Sequence, residues 1–413
     1  MVLNKRLMWI VACFLIIGFL SGCDLNRKPD LIMSKDLVNE MQPTVAPKNG
    51  TQSPEMITEP TEFKLNLQTI QTPTPTPVIT KVGLSAIGDI LIHNTVYQDA
   101  SQSDGTYNFK PMFKEVRDII HESDLAIANQ ETVIGGSELG LSSFPLFNSP
   151  HEVGDALLDS SISIVTTANN HAMDIGEKGI ISASNYWNKI GMPYTGSFIS
   201  QEDRDNIRTI TKNSITFSFL AYSYGTNGIT IPPNKSYLVN LFDEETMKRD
   251  IEKAKNISDV VVVSTHWGIE NQTMPNDSQK SLALKLADWG ADIIIGTHPH
   301  VLQPIKWISR NDGKRSLVMY SLGNFLSAQD QKIELVGGIG QITVIKTNFL
   351  DKSTIELKEP TFIPTYNKYE NFRHFEIIPL KQLKKNDMDQ IESEWETIKK
   401  TMKDEMPELA IKE

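Results

Sequence analysis

Five apolar runs rich in β-branched residues each end in a short polar motif, and this repetition constrains the fold of the 413-residue chain more than any other feature. Residues 82–87 lead into Gly88, Asp89 and His93, and residues 125–128 into Asn129, Gln130 and Glu131. Residues 162–167 lead into Asn169, Asn170 and His171, residues 260–265 into His266, Trp267 and Gly268, and residues 293–296 into Thr297, His298, Pro299 and His300. Short β-branched runs bounded by such motifs read as buried strands, and in an open α/β sheet ligands gather beyond the carboxyl ends of the strands. Helical spacing over 111–121, 154–160, 176–190, 243–256 and 278–289 separates the runs, which is the βαβ rhythm of an α/β domain. Residues 207–210 and 215–221 read as a hairpin around Lys212, Asn213 and Ser214. Beyond His300 the pattern turns to strands at 305–309, 316–320, 339–346 and 353–357, and a charged amphipathic helix over 386–402 closes the chain. These patterns predict a mixed α/β (α+β) fold, mostly parallel in its first half and mostly antiparallel in its second.

The leading segment predicts export. Lys5 and Arg6 precede an apolar stretch, 7–20, too short to span a membrane comfortably and ended by Leu20, Ser21, Gly22 and Cys23. That tetrad resembles a bacterial lipobox, which implies removal of residues 1–22, acylation of Cys23 and a lipid-anchored protein on the extracytoplasmic face of the cell membrane; an uncleaved anchor helix is the alternative. The only other cysteine is Cys13, so the mature chain has no disulfide to rely on. Residues 23–80 are proline- and threonine-rich, with Thr and Pro alternating over 72–77, and read as a disordered, semi-rigid tether. Residues 81–335 then form the site-bearing domain, completed by the strands and helix of 336–413. A formal net charge of -11 argues against nucleic acid as a partner. A polyanionic substrate would need metal ions or a local basic patch to reverse the field.

Singly, each motif has a plainer reading. Glycine-aspartate after a strand is often turn chemistry, Asn129 to Glu131 could cap a loop, and His266 could be a satisfied core histidine. Together, at successive strand ends, they read as a metal site: carboxylate oxygens from Asp89 and Glu131, an amide oxygen from Asn170, and imidazoles from His266, His298 and His300. Mixed oxygen and imidazole donors suit manganese, iron or zinc, and two such ions sharing a carboxylate could activate water. His298 and His300, two apart in an extended loop, would point the same way. His171, a residue type suited to general-acid work, is a catalytic candidate together with Asp89. His121, His151 and His374 read as structural.

Six stretches carry a resemblance. Residues 86–89 (Ala-Ile-Gly-Asp), 128–131 (Ala-Asn-Gln-Glu), 168–174 (Ala-Asn-Asn-His-Ala-Met-Asp), 265–268 (Thr-His-Trp-Gly), 296–301 (Gly-Thr-His-Pro-His-Val) and 320–325 (Tyr-Ser-Leu-Gly-Asn-Phe) resemble the CapA family of capsule and poly-gamma-glutamate biosynthesis proteins, related to the calcineurin-like metallophosphoesterases. The resemblance implies a sandwich of two mixed β-sheets flanked by helices. It also implies a first metal at Asp89 and His300, a bridging carboxylate at Glu131, a second metal at Asn170, His266 and His298, and His171 as the catalytic histidine. True phosphoesterases have a histidine where this chain has Leu91, with His93 as a substitute, and an aspartate where it has Glu131. Two function classes follow: a metal-dependent hydrolase or transferase acting in polymer synthesis or export, or a non-catalytic accessory subunit that binds polymer. The implied partners are an anionic polymer such as poly-gamma-glutamate and membrane-bound capsule synthesis proteins.

Overall fold

The computed structural model describes residues 75–412; Cys23, the expected signal segment and the expected tether up to residue 74 lie outside the described residues. In chain order, β1 (Val78–Ile90), β2 (Leu125–Gln130), β3 (Ile164–Thr166) and β4 (Tyr194–Thr195) form a parallel half-sheet. Next come β5 (Arg208–Lys212), β6 (Ile215–Ser223), β7 (Val260–His266), β8 (Ile293–Thr297), β9 (Leu302–Ser309) and β10 (Arg315–Leu322), which make a second sheet in the order β5-β6-β7-β8-β10-β9. The chain then returns to the first sheet as β11 (Asn324–Leu326), β12 (Val336–Phe349), β13 (Lys352–Glu370), β14 (Arg373–Pro379) and β15 (Ala410–Ile411). That sheet runs β14-β13-β12-β1-β2-β3-β4, with β11 on β1 and β15 on β13. Both sheets are mixed. β5 and β9 pair antiparallel at the edges of the second, while β12, β13 and β14 extend the first antiparallel from β1. The strands before His300 thus pair mostly parallel and those after it mostly antiparallel, as expected, but each sheet draws strands from both halves of the chain. β1 also starts at Val78, three residues inside the segment read as tether, pairing Val78 with Asn348.

The α-helices between the strands are α1 (Asn94–Asp99), α2 (Lys114–His121), α3 (Glu152–Asp159), α4 (Gly176–Ile190), α5 (Gln201–Asp205), α6 (Glu244–Ile257) and α7 (Asp277–Trp289), with α8 (Lys385–Glu405) near the end. Period-two burial on both faces explains why the strands read as continuous apolar runs. In β7, Val260 and Val262 enter the core between the sheets, where they join Leu84, Ile127, Phe217 and Ile295. Val261 and Val263 face the other way, into a layer with Met247, Ile251 and Ala254 of α6 and Ala283 and Leu286 of α7. The outer face of the first sheet buries Ala126, Ala128 and Val165 against α2, α3 and α4, including Val116, Leu157 and Trp187. The result is a sandwich of two mixed sheets flanked by helices. Each fully buried aliphatic or aromatic side chain contributes roughly 1.5–3 kcal/mol. The closing helix α8 seals the inter-sheet core with Ile391, Trp395, Ile398 and Met402.

Local chemistry sets the boundaries. Asn276 and Gln279 form a reciprocal capping box at the start of α7, and Gly290, at φ 119°, ends it in the left-handed conformation. The predicted hairpin turns on Asn213 and Ser214, at φ 47° and 62°, as a two-residue turn between β5 and β6 requires.

The crossing from β10 to β11 joins the two sheets beside the first strand-end motif. Gly323, at φ 65°, makes the turn, and its carbonyl accepts from the Asp89 N–H at 2.8 Å. A Cβ on Gly88 would lie 2.2 Å from that same carbonyl oxygen and 2.8 Å from the Leu322 oxygen. Backbone oxygens cannot swing aside, so Gly88→Ala should destabilise the domain by about 2–3 kcal/mol through overpacking. Urea unfolding should show a lower midpoint at unchanged slope. An unchanged midpoint would mean that the two backbones do not approach this closely.

Candidate metal centre

The carboxyl ends of β1, β2 and β3 in one sheet and of β7 and β8 in the other meet at a single edge of the sandwich. Asp89 lies one residue before the end of β1, Glu131 follows β2, Asn170 and His171 follow β3, His266 ends β7, and His298 and His300 follow β8. All seven side chains are buried. Among the described residues, three triads have atoms that could bind a metal within 4.8 Å of one another: Asp89, Glu131 and His300; Glu131, His266 and His298; and Glu270, His298 and His300. The first two share Glu131. Asn170 adjoins the second, its Oδ1 lying 2.8 Å from His266 Nε2.

Oxygens and imidazole nitrogens converge here. His266 Nδ1 faces the Thr297 hydroxyl at 2.8 Å, and that hydroxyl lies 3.4 Å from the Thr265 carbonyl; with the hydrogen on Nδ1, Nε2 would offer its lone pair to a cation. Nε2 lies 2.8 Å from Asn170 Oδ1 and 3.5 Å from Glu131 Oε1. The Asn170 amide is oriented by its Nδ2 donating to Asn227 Oδ1 at 3.2 Å. Glu131 Oε1 also lies 3.7 Å from His300 Nε2, yet neither it nor His298 Nδ1 has a hydrogen-bond partner. A buried polar atom left unpaired costs about 1–3 kcal/mol, and a cation would remove that cost at both atoms. Hard oxygens with imidazoles are the donor set of manganese, iron or zinc, so the residues present fit such an ion.

Burial favours the neutral, metal-binding form at two of the three imidazoles, while the carboxylates favour the charged form at His300. Burial, reinforced by the neighbouring His298 and His300, holds His266 well below the usual histidine range. Burial, with His300 and His171 nearby, lowers His298 to about 3. Burial pushes Glu131 well above the carboxylate range, partly opposed by His300. At His300 burial is outweighed by the carboxylates of Glu131 and Asp89, which raise it to about 9. Neutral imidazole is the form that binds metal.

Supporting bonds fix the ligand orientations. Asn129 Nδ2 donates to Asp89 Oδ1 at 3.0 Å and reaches Glu131 Oε2 at 3.5 Å, clamping the two carboxylates. The His298 N–H donates to Asp89 Oδ2 at 3.2 Å. Asn324, from the Leu-Gly-Asn turn after β10, accepts from His300 Nδ1 at 3.1 Å and leaves Nε2 facing Glu131. The loop holding His298 and His300 is not extended, contrary to expectation. Their φ values are 97° and 60°, a left-handed backbone that costs of order 1–3 kcal/mol per residue and is held by the surrounding bonds.

His171 stands beside the triads. Its Nδ1 meets Asp174 Oδ2 at 2.8 Å, Phe147 packs edge-on at 4.7 Å, and Asp174 Oδ2 also accepts from the Phe147 N–H. His93 joins none of the three triads; the Ala328 N–H occupies its Nδ1 at 3.2 Å. Leu91 is a buried core residue.

Two neighbours escaped the sequence reading. Glu270 sits on the exposed loop four residues past the end of β7, beyond the His266, Trp267 and Gly268 motif at which the reading stopped. Tyr224 follows β6, the same strand-end position as the other motifs, and its half-exposed ring lies 4.9 Å from that of His298. That position was the available signal, obscured by reading β6 only as half of a hairpin.

Residues 83–329, more than half of the chain, match the family described as bacterial capsule synthesis protein PGA_cap. The PGA biosynthesis protein CapA of Bacillus subtilis (strain 168) is 30% identical over 255 residues, which are 59% of this chain and 63% of that protein. The capsule biosynthesis protein CapA of Bacillus anthracis is 27% identical over 263 residues, 60% of each chain. The chain thus matches about three fifths of the length of these curated relatives. The crystal structure of TT1561 of Thermus thermophilus overlaps 67% of this chain and 99% of its own at 7% identity and a TM-score of 0.34, too distant a likeness to carry an argument. With its strand-end motifs inside the matched span, the chain belongs to the PGA_cap family of bacterial capsule synthesis proteins.

Proposed function

We propose that this chain takes part in making or exporting an anionic envelope polymer of the poly-gamma-glutamate kind, and does so through a two-ion hydrolase or transferase centre at its strand ends. The names of its relatives support the polymer pathway. The chemistry rests on one observation: Glu131 Oε1, fully buried and without a donor, lies between His266 Nε2 and His300 Nε2 in two triads that share it. Asp89, Glu131 and His300 would hold one divalent ion, and Glu131, Asn170, His266 and His298 the other. Such a pair supplies an activated water and a polarised acceptor. The protein's own groups do the rest. Asn129 and Asn324 hold the carboxylates and His300 in register. Asp174 holds His171 through Nδ1, which leaves Nε2 as the nitrogen that moves a proton to a leaving oxygen or nitrogen. The ions would also offset the repulsion between a chain of net charge -11 and a polyanion. Envelope placement through a lipidated Cys23, beside membrane-bound synthesis enzymes, completes the reading and rests on the Leu-Ser-Gly-Cys tetrad.

Metal analysis paired with phosphodiester and gamma-glutamyl hydrolysis assays separates catalysis from an accessory, polymer-binding role. His266→Ala and His298→Ala should each lose about one ion per chain. His171→Ala should keep both ions and lose roughly 10²- to 10⁴-fold in turnover. Wild-type protein without metal, or a fully active His171→Ala, would leave the accessory role as the surviving reading.

For the anchor, Cys23→Ala should abolish acylation, leave the leader unprocessed and mislocalise the protein. A variant that remains detergent-associated with a cleaved leader would rule out lipidation at Cys23. A single acyl chain anchors only marginally, so the several chains of a lipoprotein make this difference large.

A further inference from the structure

We propose that Glu270 is an additional ligand of the centre: an exchangeable carboxylate that completes, from the solvent side, the ion assigned to Asp89, Glu131 and His300. This deepens the two-ion reading and rests on it.

The two ion positions are unequally furnished. The second has four protein donors, Glu131, Asn170, His266 and His298, whereas the first has three. Where phosphoesterases supply a further histidine to the first position, this chain has Leu91, an apolar side chain buried in the core. His93, whose Nδ1 accepts from the Ala328 N–H, joins none of the triads. The Glu270 carboxylate lies within 4.8 Å of ligand atoms of both His298 and His300, the latter shared with the first position.

Three contacts hold the Glu270 loop against the histidine loop and the strand after it. The Trp267 N–H donates to the Thr297 carbonyl at 3.1 Å, and the Asn271 N–H, next to Glu270, donates at 2.9 Å to the carbonyl of Pro299, the residue between the two histidines. Gln303 Nε2 donates to the Gln272 carbonyl at 2.8 Å. Gly268, at φ 89°, packs on the Gln279 amide and lets the chain turn back after His266. Glu270 is therefore delivered to this place by the fold. Two unpartnered atoms, His298 Nδ1 and Glu131 Oε1, sit buried in the same cluster and call for a cation there.

Exposure separates Glu270 from the other ligands. Asp89, Glu131 and the three histidines are buried and fixed by neighbours, while Glu270 is exposed beside the half-exposed Tyr224. A carboxylate at the mouth can leave the ion when a substrate oxygen arrives and return when product departs, which the buried ligands cannot do without breaking their supporting bonds.

Calorimetric titration of the metal-free full-length protein with Mn²⁺ tests this, with electron paramagnetic resonance to count and distinguish the bound ions. Wild type should take up two ions. Glu270→Gln, isosteric at an exposed position, should weaken one of them at least tenfold and leave the other within twofold, and Glu270→Asp should fall between. Equal affinities at both positions in wild type and Glu270→Gln would overturn the assignment of Glu270 while leaving the two-ion reading intact. A wild type that binds no Mn²⁺ would remove both.

Discussion

A buried carboxylate with one oxygen left unpaired governs the strand-end chemistry of this protein. Glu131 is wholly enclosed, its Oε1 lacks a donor, and the nitrogens nearest to it are imidazoles whose other nitrogens are already committed, His266 to Thr297 and His300 to Asn324. An isolated buried charge is costly enough that a protein either neutralises it or supplies a counter-charge. His300 supplies part of that charge and is itself raised in pKa by doing so. A divalent ion on each side would supply the rest.

Bringing these groups together requires the segments that carry them to pack closely at one end of the sandwich, and small residues make that possible. Gly88 admits the Gly323 carbonyl, and Gly296 fits beneath the Tyr320 carbonyl and the Trp267 indole, which are themselves hydrogen-bonded at 2.9 Å. A side chain at either glycine would push a ligand-bearing strand away from its neighbour. The Leu-Gly-Asn turn thus has two tasks: it carries the chain from one sheet to the other and places Asn324 against His300.

The sequence made the buried strands and their terminal polar motifs legible because each strand advertises both at once: a β-branched run for the core on its two faces, then polar groups where the core ends. Glu270 lies past the buried motif of β7 on an exposed loop, and the bonds that place this loop, from Asn271 to Pro299 and from Trp267 to Thr297, are encoded by no local pattern. The second half of the fold was harder to read for a different reason. β13 runs from Lys352 to Glu370 through Pro360 and Pro364, which read as strand breakers; the break in register near Glu359, at φ 56°, absorbs the first, and Pro364 sits opposite Gly338. β11, three residues long, owes its existence to pairing with β1 rather than to its own composition.

β1 spans the first sheet from an exposed start at Val78 to the buried Asp89, so the chain enters the domain roughly 36 Å from the candidate centre at about 3.3 Å per residue. Its first ten pairings, Val78 with Asn348 through Ile87 with Ile339, run unbroken along β12. Tension applied through the preceding segment would therefore load β1 in shear, along a central strand flanked on both sides, and would have to break this ladder together rather than peel it one bond at a time. If the protein is held by its leading end while a growing polymer drags on it, the same strand that positions Asp89 is the mechanical spine that bears the load.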